Sequence, residues 1–238
     1  MLQTGINGEV IGVFSQGIYV RIGEEILLFH DAKWGVVPFG IALPDFAAFA
    51  LGVSLAPGDA VTLAPCAVSA AERLFAMRRV LPDKDRIAAV EAYVTENGSD
   101  GGMLALLGEN RGNVREKIDG LMRGDADAAV GLLGLGRGLT PSGDDFLCGF
   151  FSTLYAACDN RFDAVRDALL QNLDRTTAIS AAYVKSALQN EYCTVYDRAV
   201  RTVLSDEPFA LNCDFVLKMG ASSGTDTLLG VLAAAKCV

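Results

Sequence analysis

The sequence is poor in the residues that most metal sites and hydrolases use. It contains one histidine, His30, and its six cysteines form no C-x-x-C pair. Zinc sites are built from clusters of these residues, so we expect no metal site of that kind. A lone His30 beside Asp31 is more often a hydrogen-bonded pair than a catalytic base, and no nucleophile elbow accompanies it. These features argue against a hydrolase.

Positive charge and long apolar runs are scarce as well. Lys and Arg number 20 against 29 Asp and Glu, a net charge of −9. Nucleic acids and anionic membranes require basic patches, so we predict neither as a partner. No run of about 18 apolar residues occurs, and the first residues lack a secretory signal. We expect a cytoplasmic protein whose cysteines are buried thiols.

The first third of the chain consists of short β-rich runs separated by glycine turns, which favours antiparallel hairpins in a small barrel or sandwich. The segment from Gly35 to Pro44 is apolar and punctuated by Pro and Gly, and a short helix is expected at Asp45–Leu51. Glu72–Val80 is ambiguous, and we favour a last strand there. The other predicted strands are Glu9–Phe14, Ile18–Ile22, Ile26–His30 and Ala60–Leu63.

The pattern changes to a helical period at Pro82-Asp83. Asn97 to Gly102 has the composition of a flexible loop. We therefore predict an α+β protein with a barrel-like domain over residues 1–81 and a larger, mostly α-helical domain over residues 82–238. The predicted helices are Asp85–Thr95, Val114–Arg123, Ala126–Leu133, Asp144–Cys158, Phe162–Leu173, Ala178–Gln189, Cys193–Leu204, Pro208–Met219 and Thr225–Lys236.

A glycine-rich stretch from Gly134 to Gly149 is the most informative part of the chain. It reads GLGRGLTPSGDDFLCG, and Ser142 stands three residues before Asp145. This is a variant of the capping pattern that opens helices. A P-loop is excluded because Asp144 stands where that motif needs lysine.

The same capping pattern occurs again from Ser223 to Gly230, and both copies share the sequence S-G-x-D-x-L-x-G. One interpretation is two ordinary capped helix starts. The other is two helix N-termini that face one site and bind an anion such as phosphate or carboxylate. On the second interpretation the substrate-binding residues are Gly136, Gly138, Leu139, Thr140, Pro141, Gly143, Asp145, Thr177, Ser180, Ser222, Ser223, Gly224 and Asp226.

Candidates for chemistry are Asp144 and Ser142. Asp145 corresponds to the repeated acid Asp226 and is interpreted as a cap, whereas Asp144 has Thr225 in its place in the second copy. An acid beside an anion site needs a cation, which Arg137 or a divalent ion near Asp144 could supply. For Thr177 and Ser180, an N-cap at Thr176 or Thr177 followed by a surface serine is the alternative to a role in binding.

The motif blocks G-L-G-x-G-L-T-P-S-G-D-D-F-L-x-G, R-T-T-x-I-S and G-x-S-S-G-x-D-x-L-x-G resemble the AllH-type family, a subunit of oxamate carbamoyltransferase from purine (allantoin) catabolism. They span Gly134 to Gly230. The chain departs from the family pattern at Ala221, where a histidine is expected.

This resemblance implies a subunit of an oligomeric transferase with two further subunits, one of them like an acyl-CoA synthetase. The complex would convert carbamoyl phosphate and oxamate to oxalurate and phosphate, or run in reverse. Backbone N–H groups between Leu139 and Gly143 would then stabilise the oxyanion. The alternative is a non-catalytic ligand-binding or scaffolding subunit whose partner carries out the reaction.

Overall fold

A computed structural model describes residues 5–64, 83–109, 113–191 and 193–238. The described residues up to 64 form one compact unit and those from 83 onward form another. The predicted strand at Glu72–Val80, the cysteine at position 66 and the predicted boundary at Pro82 lie outside the described residues. The domain limits therefore remain a prediction.

The N-terminal unit is a curled five-stranded half-barrel sheet with the order β4-β3-β2-β1-β5. Alternate residues of β3 (Ile26, Leu28 and His30) are buried, which is the two-residue period of a sheet with one covered face. Pairing is antiparallel except between β3 and β4. The strands are β1 Ile6–Phe14, β2 Gly17–Ile22, β3 Glu25–Asp31, β4 Gly40–Leu43 and β5 Ala60–Leu63.

The core of this sheet contains Val10, Ile18, Val20 and Phe46, the last from helix α1, Phe46–Val53. The predicted hairpins and the short helix are confirmed. The strand β4 was not predicted, because its segment is short and carries turn residues on both sides.

The second unit is helical, and with the sheet it confirms the predicted α+β class. Most predicted helices are found with ends shifted by one to three residues, and Leu173–Arg175 is a separate 3-10 turn. The helices are α2 Lys84–Asn97, α3 Gly102–Gly108, α4 Val114–Met122, α5 Ala126–Val130, α6 Ser142–Ala156, α7 Asp163–Leu170, α8 Ala178–Leu188, α9 Thr194–Leu204, α10 Phe209–Leu217 and α11 Ser223–Ala235.

Helices α6 and α11 form the centre of this unit. Every residue of α6 except Tyr155 is buried, and so is every residue of α11 except Ser223 and Leu229. Their all-round apolar character thus predicted burial correctly.

The two central helices approach each other at a pair of equivalent glycines. A Cβ at Gly149 would overlap the carbonyl oxygen of Thr227, and a Cβ at Gly230 would overlap that of Phe146. Each glycine closes its own copy of S-G-x-D-x-L-x-G, so the contacts are reciprocal. The repeated motif therefore builds a close-packed helix pair.

The loop predicted at residues 97–102 is found between α2 and α3, and its Ser99 N–H donates to Thr225 Oγ1 at 2.9 Å. One expectation about this unit was wrong. Cys158 is exposed, whereas Cys148, Cys193 and Cys213 are buried as predicted. Within the ranges described, no helix combines the length and apolar character needed to cross a membrane.

Candidate functional site

The starts of α6 and α11 lie side by side. Thr140 Oγ1 is 3.2 Å from Ser223 Oγ, and this contact joins the first glycine-rich loop to the start of α11. Two further polar contacts cross between the helices: the Ser142 hydroxyl faces Asp226, and the Ser223 hydroxyl faces Asp145. The serine of each motif thus faces the acid of the other.

The capping roles predicted for these residues are wrong. The residue before α6 is Pro141 and the residue before α11 is Ser222, and neither forms a side-chain cap. Asp145 faces Ser223 of the opposite helix start, whereas Asp226 accepts the Met103 N–H of α3 and the Ser222 hydroxyl, so within the described residues neither bonds an N–H group of its own helix. The close approach of the two helices brings these carboxyls within reach of the partner serines.

Gly143 and Gly224 serve packing and leave no free N–H group for a ligand. The Gly143 N–H donates to Leu135 O at 2.8 Å, and the Gly224 N–H donates to Met219 O at 3.0 Å. Cβ atoms at these glycines would overlap the carbonyl oxygens of Leu132 and Val216. A bulky residue at position 143 would therefore disrupt the helix packing and would not act as a selective block of anion binding.

A pocket of about 260 Å³ lies where the starts of α3, α6 and α11 come together. A Cβ at Gly136 would lie 2.8 Å from the Ser142 nitrogen, so this glycine leaves the first N–H of α6 open. Among the described residues, that N–H has no acceptor. The lining residues are Gly102, Ala105, Leu106, Glu109, Gly136, Arg137, Ser142 and Ser222.

Two of the predicted binding residues, Gly136 and Ser222, line this pocket together with Ser142, a predicted catalytic residue. Sequence analysis missed the wall contributed by α3, whose signal is the apolar run after Gly101-Gly102. Within the described ranges Arg137 has no ion-pair partner, and Glu109 brings a charge of the opposite sign to the same pocket. The pocket therefore offers one cationic group and hydroxyl and N–H groups from two long helices.

Asp144 lies away from the pocket and is 1% exposed. Its Oδ1 accepts the Gly134 N–H at 2.9 Å, and its Oδ2 accepts the hydroxyls of Thr176 and, at 2.7 Å, Ser180. Both carboxylate oxygens are thus engaged by protein donors. A catalytic role or a bound cation at Asp144 stays a prediction, and this geometry does not favour either.

Thr177 and Ser180 support this arrangement. Thr177 caps α8, since its Oγ1 accepts the Ser180 N–H at 3.0 Å, and its hydroxyl donates to Leu139 O. The surface position considered for Ser180 is wrong, because this residue is 1% exposed. Leu139 and Gly138 form the exposed tip of the first loop, and nothing lies close to Gly138.

Burial raises the pKa of the three acids at the helix starts. It is the largest cause in each case: the pKa of Asp226 rises to about 6, that of Asp145 rises well above the usual value, and that of Asp144 also rises. The nearby Asp226 and Asp144 add to the shift at Asp145, whose Oδ2 has no hydrogen-bond partner. Burial and the two neighbouring acids therefore favour the neutral form of Asp145.

The other predicted pair of titratable residues, His30 and Asp31, is joined through a backbone carbonyl. His30 bonds to the backbone carbonyl of Asp31 at 3.1 Å, not to its carboxylate, and its Nε2 is buried without a partner. Desolvation lowers the pKa of His30, so its ring is neutral. Across the residues described, no group of three or more His, Cys, Asp or Glu side chains is placed to hold a metal ion.

Comparison with known families gives one match. Residues 132–235 match the family model described as oxamate carbamoyltransferase subunit AllH, and the predicted resemblance is confirmed over this segment. The match contains both glycine-rich helix starts and the central helix pair, and it excludes the N-terminal sheet. No solved structure matches the chain.

Proposed function

We propose, from the match of residues 132–235 to the AllH family, that this chain is a subunit of a carbamoyl-transfer complex and binds an anionic substrate in the pocket between α3, α6 and α11. The observation that carries the proposal is the meeting of two helix starts at one pocket, with Arg137 on its wall. Helix N-termini favour anions, and a guanidinium pairs with phosphate or carboxylate.

The reaction would be transfer of a carbamoyl group from carbamoyl phosphate to oxamate. The oxamate amide nitrogen attacks the carbamoyl carbon, a C–N bond forms, and the C–O bond to phosphate breaks. The amide proton leaves with phosphate, which gives oxalurate. Both substrates are anions, in agreement with the groups that line the pocket.

The net charge of the protein does not preclude this binding. Burial and the neighbouring acids favour the neutral form of Asp145, which limits the negative charge beside the pocket. Glu109 on the wall and Asp226 behind it oppose an anion, and Arg137 offsets part of this charge. An anion would be held by the Ser142 N–H, the guanidinium and the serine hydroxyls.

Two glycines of one loop provide a matched test. Gly136 has φ 125° and Gly138 has φ 92°, so alanine strains the backbone at both. Only at position 136 would the methyl group fill the space beside the Ser142 nitrogen. We expect Gly136→Ala to abolish phosphate and oxamate binding in calorimetry and Gly138→Ala to retain it; equal affinities in the two variants would contradict the site.

Arg137→Gln should weaken phosphate binding about tenfold or more, as expected for loss of a charge-assisted hydrogen bond. Phosphate release from carbamoyl phosphate and oxamate should then be assayed for the chain alone and with its partner subunits. Turnover by the chain alone indicates an enzyme. Turnover only in the complex, unaffected by Ser142→Ala, would favour the non-catalytic alternative.

A further inference from the structure

Asp226 connects three parts of the pocket wall without lining the pocket itself. Its Oδ1 accepts the N–H of Met103, in the first turn of α3, at 2.7 Å, and its Oδ2 accepts the Ser222 hydroxyl at 3.0 Å. The Ser142 hydroxyl also faces this carboxyl. Asp226 is 0% exposed, so these protein groups constitute its immediate surroundings.

The ionisation of Asp226 determines where the serine hydroxyl hydrogens point. A serine has one O–H donor, and a carboxylate can only accept. While Asp226 is ionised, the hydroxyls of Ser142 and Ser222 donate to it, and their oxygens present lone pairs to the pocket. A protonated Asp226 instead donates to one serine oxygen, and that serine can turn its hydrogen toward a bound anion.

We propose that an anion binds in this pocket together with one proton, which Asp226 takes up, and that Asp226 is a positioning residue that sets the direction of the Ser142 and Ser222 hydroxyls. This inference rests on the proposed function, because it concerns the same pocket. It specifies the chemical form of the ligand: an anion whose binding is tighter at lower pH.

The environment of Asp226 supports proton uptake near neutral pH. Its pKa is raised to about 6, chiefly by burial. Without a ligand, Asp226 is therefore ionised at pH 7, and little free energy is needed to protonate it. A bound anion raises this pKa further through charge repulsion. Met103, Ser142 and Ser222 all stabilise the ionised form in the empty pocket.

The other charged groups near α11 lie on the elements packed against it. From α6, Asp145 faces Asp226, and burial favours the neutral form of Asp145. At the end of α3 Glu109 lines the pocket, together with Arg137 of the first loop. Charged residues of α2, α9 and α10 pair elsewhere: Glu91 with Lys236, Arg201 with Asp197 and Glu207, and Asp214 with Tyr93.

Sulfate is the suitable probe, because it does not titrate between about pH 5 and pH 8. Calorimetry in buffers of different ionisation enthalpy measures both affinity and protons taken up. We expect sulfate affinity to fall by up to about tenfold per pH unit above about pH 6 and to be nearly constant below that pH. At about pH 7.5, close to one proton should be taken up per sulfate.

Asp226→Asn provides the decisive comparison. Its amide oxygen can still accept the Met103 N–H, and its NH₂ group donates to serine oxygen as a protonated carboxyl would. Sulfate should therefore bind to this variant with little dependence on pH and without proton uptake. Asp159→Asn removes one acid at the surface ion pair with Arg161 and should leave the wild-type pH dependence intact.

The outcomes separate this inference from the proposed function. Sulfate binding without proton uptake by the wild-type chain overturns the role of Asp226 and leaves the pocket in place. If the pH dependence is lost in Asp145→Asn but kept in Asp226→Asn, the proton is taken up by Asp145, and this result also overturns the role of Asp226. Absence of sulfate binding even at about pH 5 contradicts the anion site itself. The wild-type measurement tests the proposal even if a variant fails to fold.

Discussion

The two copies of S-G-x-D-x-L-x-G build the same helix contact but different surroundings. In both copies the second residue packs on a carbonyl of the preceding segment and the last glycine packs on the other helix. The third position differs: Asp144 accepts three hydrogen bonds, whereas Thr225 accepts one, from Ser99. The residues before the motif differ as well, with Thr140 in the first copy and Ala221 in the second.

This comparison separates residues that build the helix pair from residues that build the pocket. The repeated residues are buried, apart from the half-buried Ser223, and the serines and last glycines contact the opposite helix. Apart from Ser142, the pocket wall is supplied by residues outside the repeated pattern, such as Gly136 and Arg137 of the longer first loop. Repetition in the sequence therefore marks the scaffold, and the departures from it mark the candidate site.

The largest effect is expected where the copies are identical. Gly149→Leu and Gly230→Leu each force a side chain into a backbone carbonyl of the opposite helix, so each should lower the free energy of unfolding by more than about 3 kcal/mol. Urea denaturation followed by circular dichroism measures the change. Gly108→Ala, where nothing lies within 4 Å, is the control and should be close to neutral. Near-neutral values for Leu at 149 or 230 would contradict the reciprocal packing.

Stability should also depend on pH through the equivalent acids of the two copies. A carboxyl with a raised folded-state pKa stabilises the fold below its unfolded-state pKa, and this stabilisation is lost as the pH rises through the folded-state value. For Asp226, with a shift from 3.8 to about 6, the loss should be about 3 kcal/mol between about pH 4 and pH 6. For Asp145, whose pKa is also raised by burial, stability should likewise fall as the pH rises.

Denaturation across this pH range checks the prediction, because Asp226→Asn should remove the fall in unfolding free energy between about pH 4 and pH 6. Asp159 is a control of opposite sign. Arg161 lowers its pKa, so its stabilising contribution is lost as the pH falls. An unchanged profile in Asp226→Asn would contradict the assignment.

A smaller effect is expected at the third motif position, where the copies differ. Asp144→Ala leaves the Gly134 N–H and two hydroxyls without their acceptor and should cost about 2 kcal/mol. Thr225→Ala removes one acceptor and should cost about 1 kcal/mol. The same denaturation experiment compares them, and equal costs would show that the additional hydrogen bonds of Asp144 add no stability.

The smallest effect is expected just before the motif. Thr140→Ala gives the first copy the residue that the second copy has at Ala221, and it removes the 3.2 Å contact with Ser223 and an interaction with Asp145. This should cost about 0.5 kcal/mol. A shift of the thermal midpoint larger than that of Thr225→Ala would assign Thr140 a greater structural role than these contacts indicate.

Local patterns predicted much of this fold. The short β-rich runs separated by glycine turns and the helical period after residue 82 indicated an α+β chain, and the all-round apolar character of two helices indicated their burial. Short elements such as α3 and β4 could not be predicted, because their stability comes from tertiary contacts and their sequences contain turn residues. Met103, for example, is fixed by Asp226, which lies far along the chain.

The site was predicted only in part, for a related reason. The motif indicated polar helix starts, but a capping pattern is read within one helix, and here each acid contacts the other helix. Likewise, Gly143 could be recognised as a special backbone position, but only coordinates distinguish contact with a ligand from contact with the Leu132 carbonyl. Arg137 was noted as a cation from its place in the loop, and its position on the pocket wall required the fold.

The crossed contacts between α6 and α11 have a consequence for synthesis of the chain. Ser223 emerges from the ribosome roughly eighty residues after Ser142. Until then, Asp145 lacks its neighbour Ser223, and Thr227 does not yet pack against Gly149. Helix α6 therefore cannot reach its final environment before α11 has been synthesised. The helical unit should thus acquire its native core late and in one step, when α11 docks.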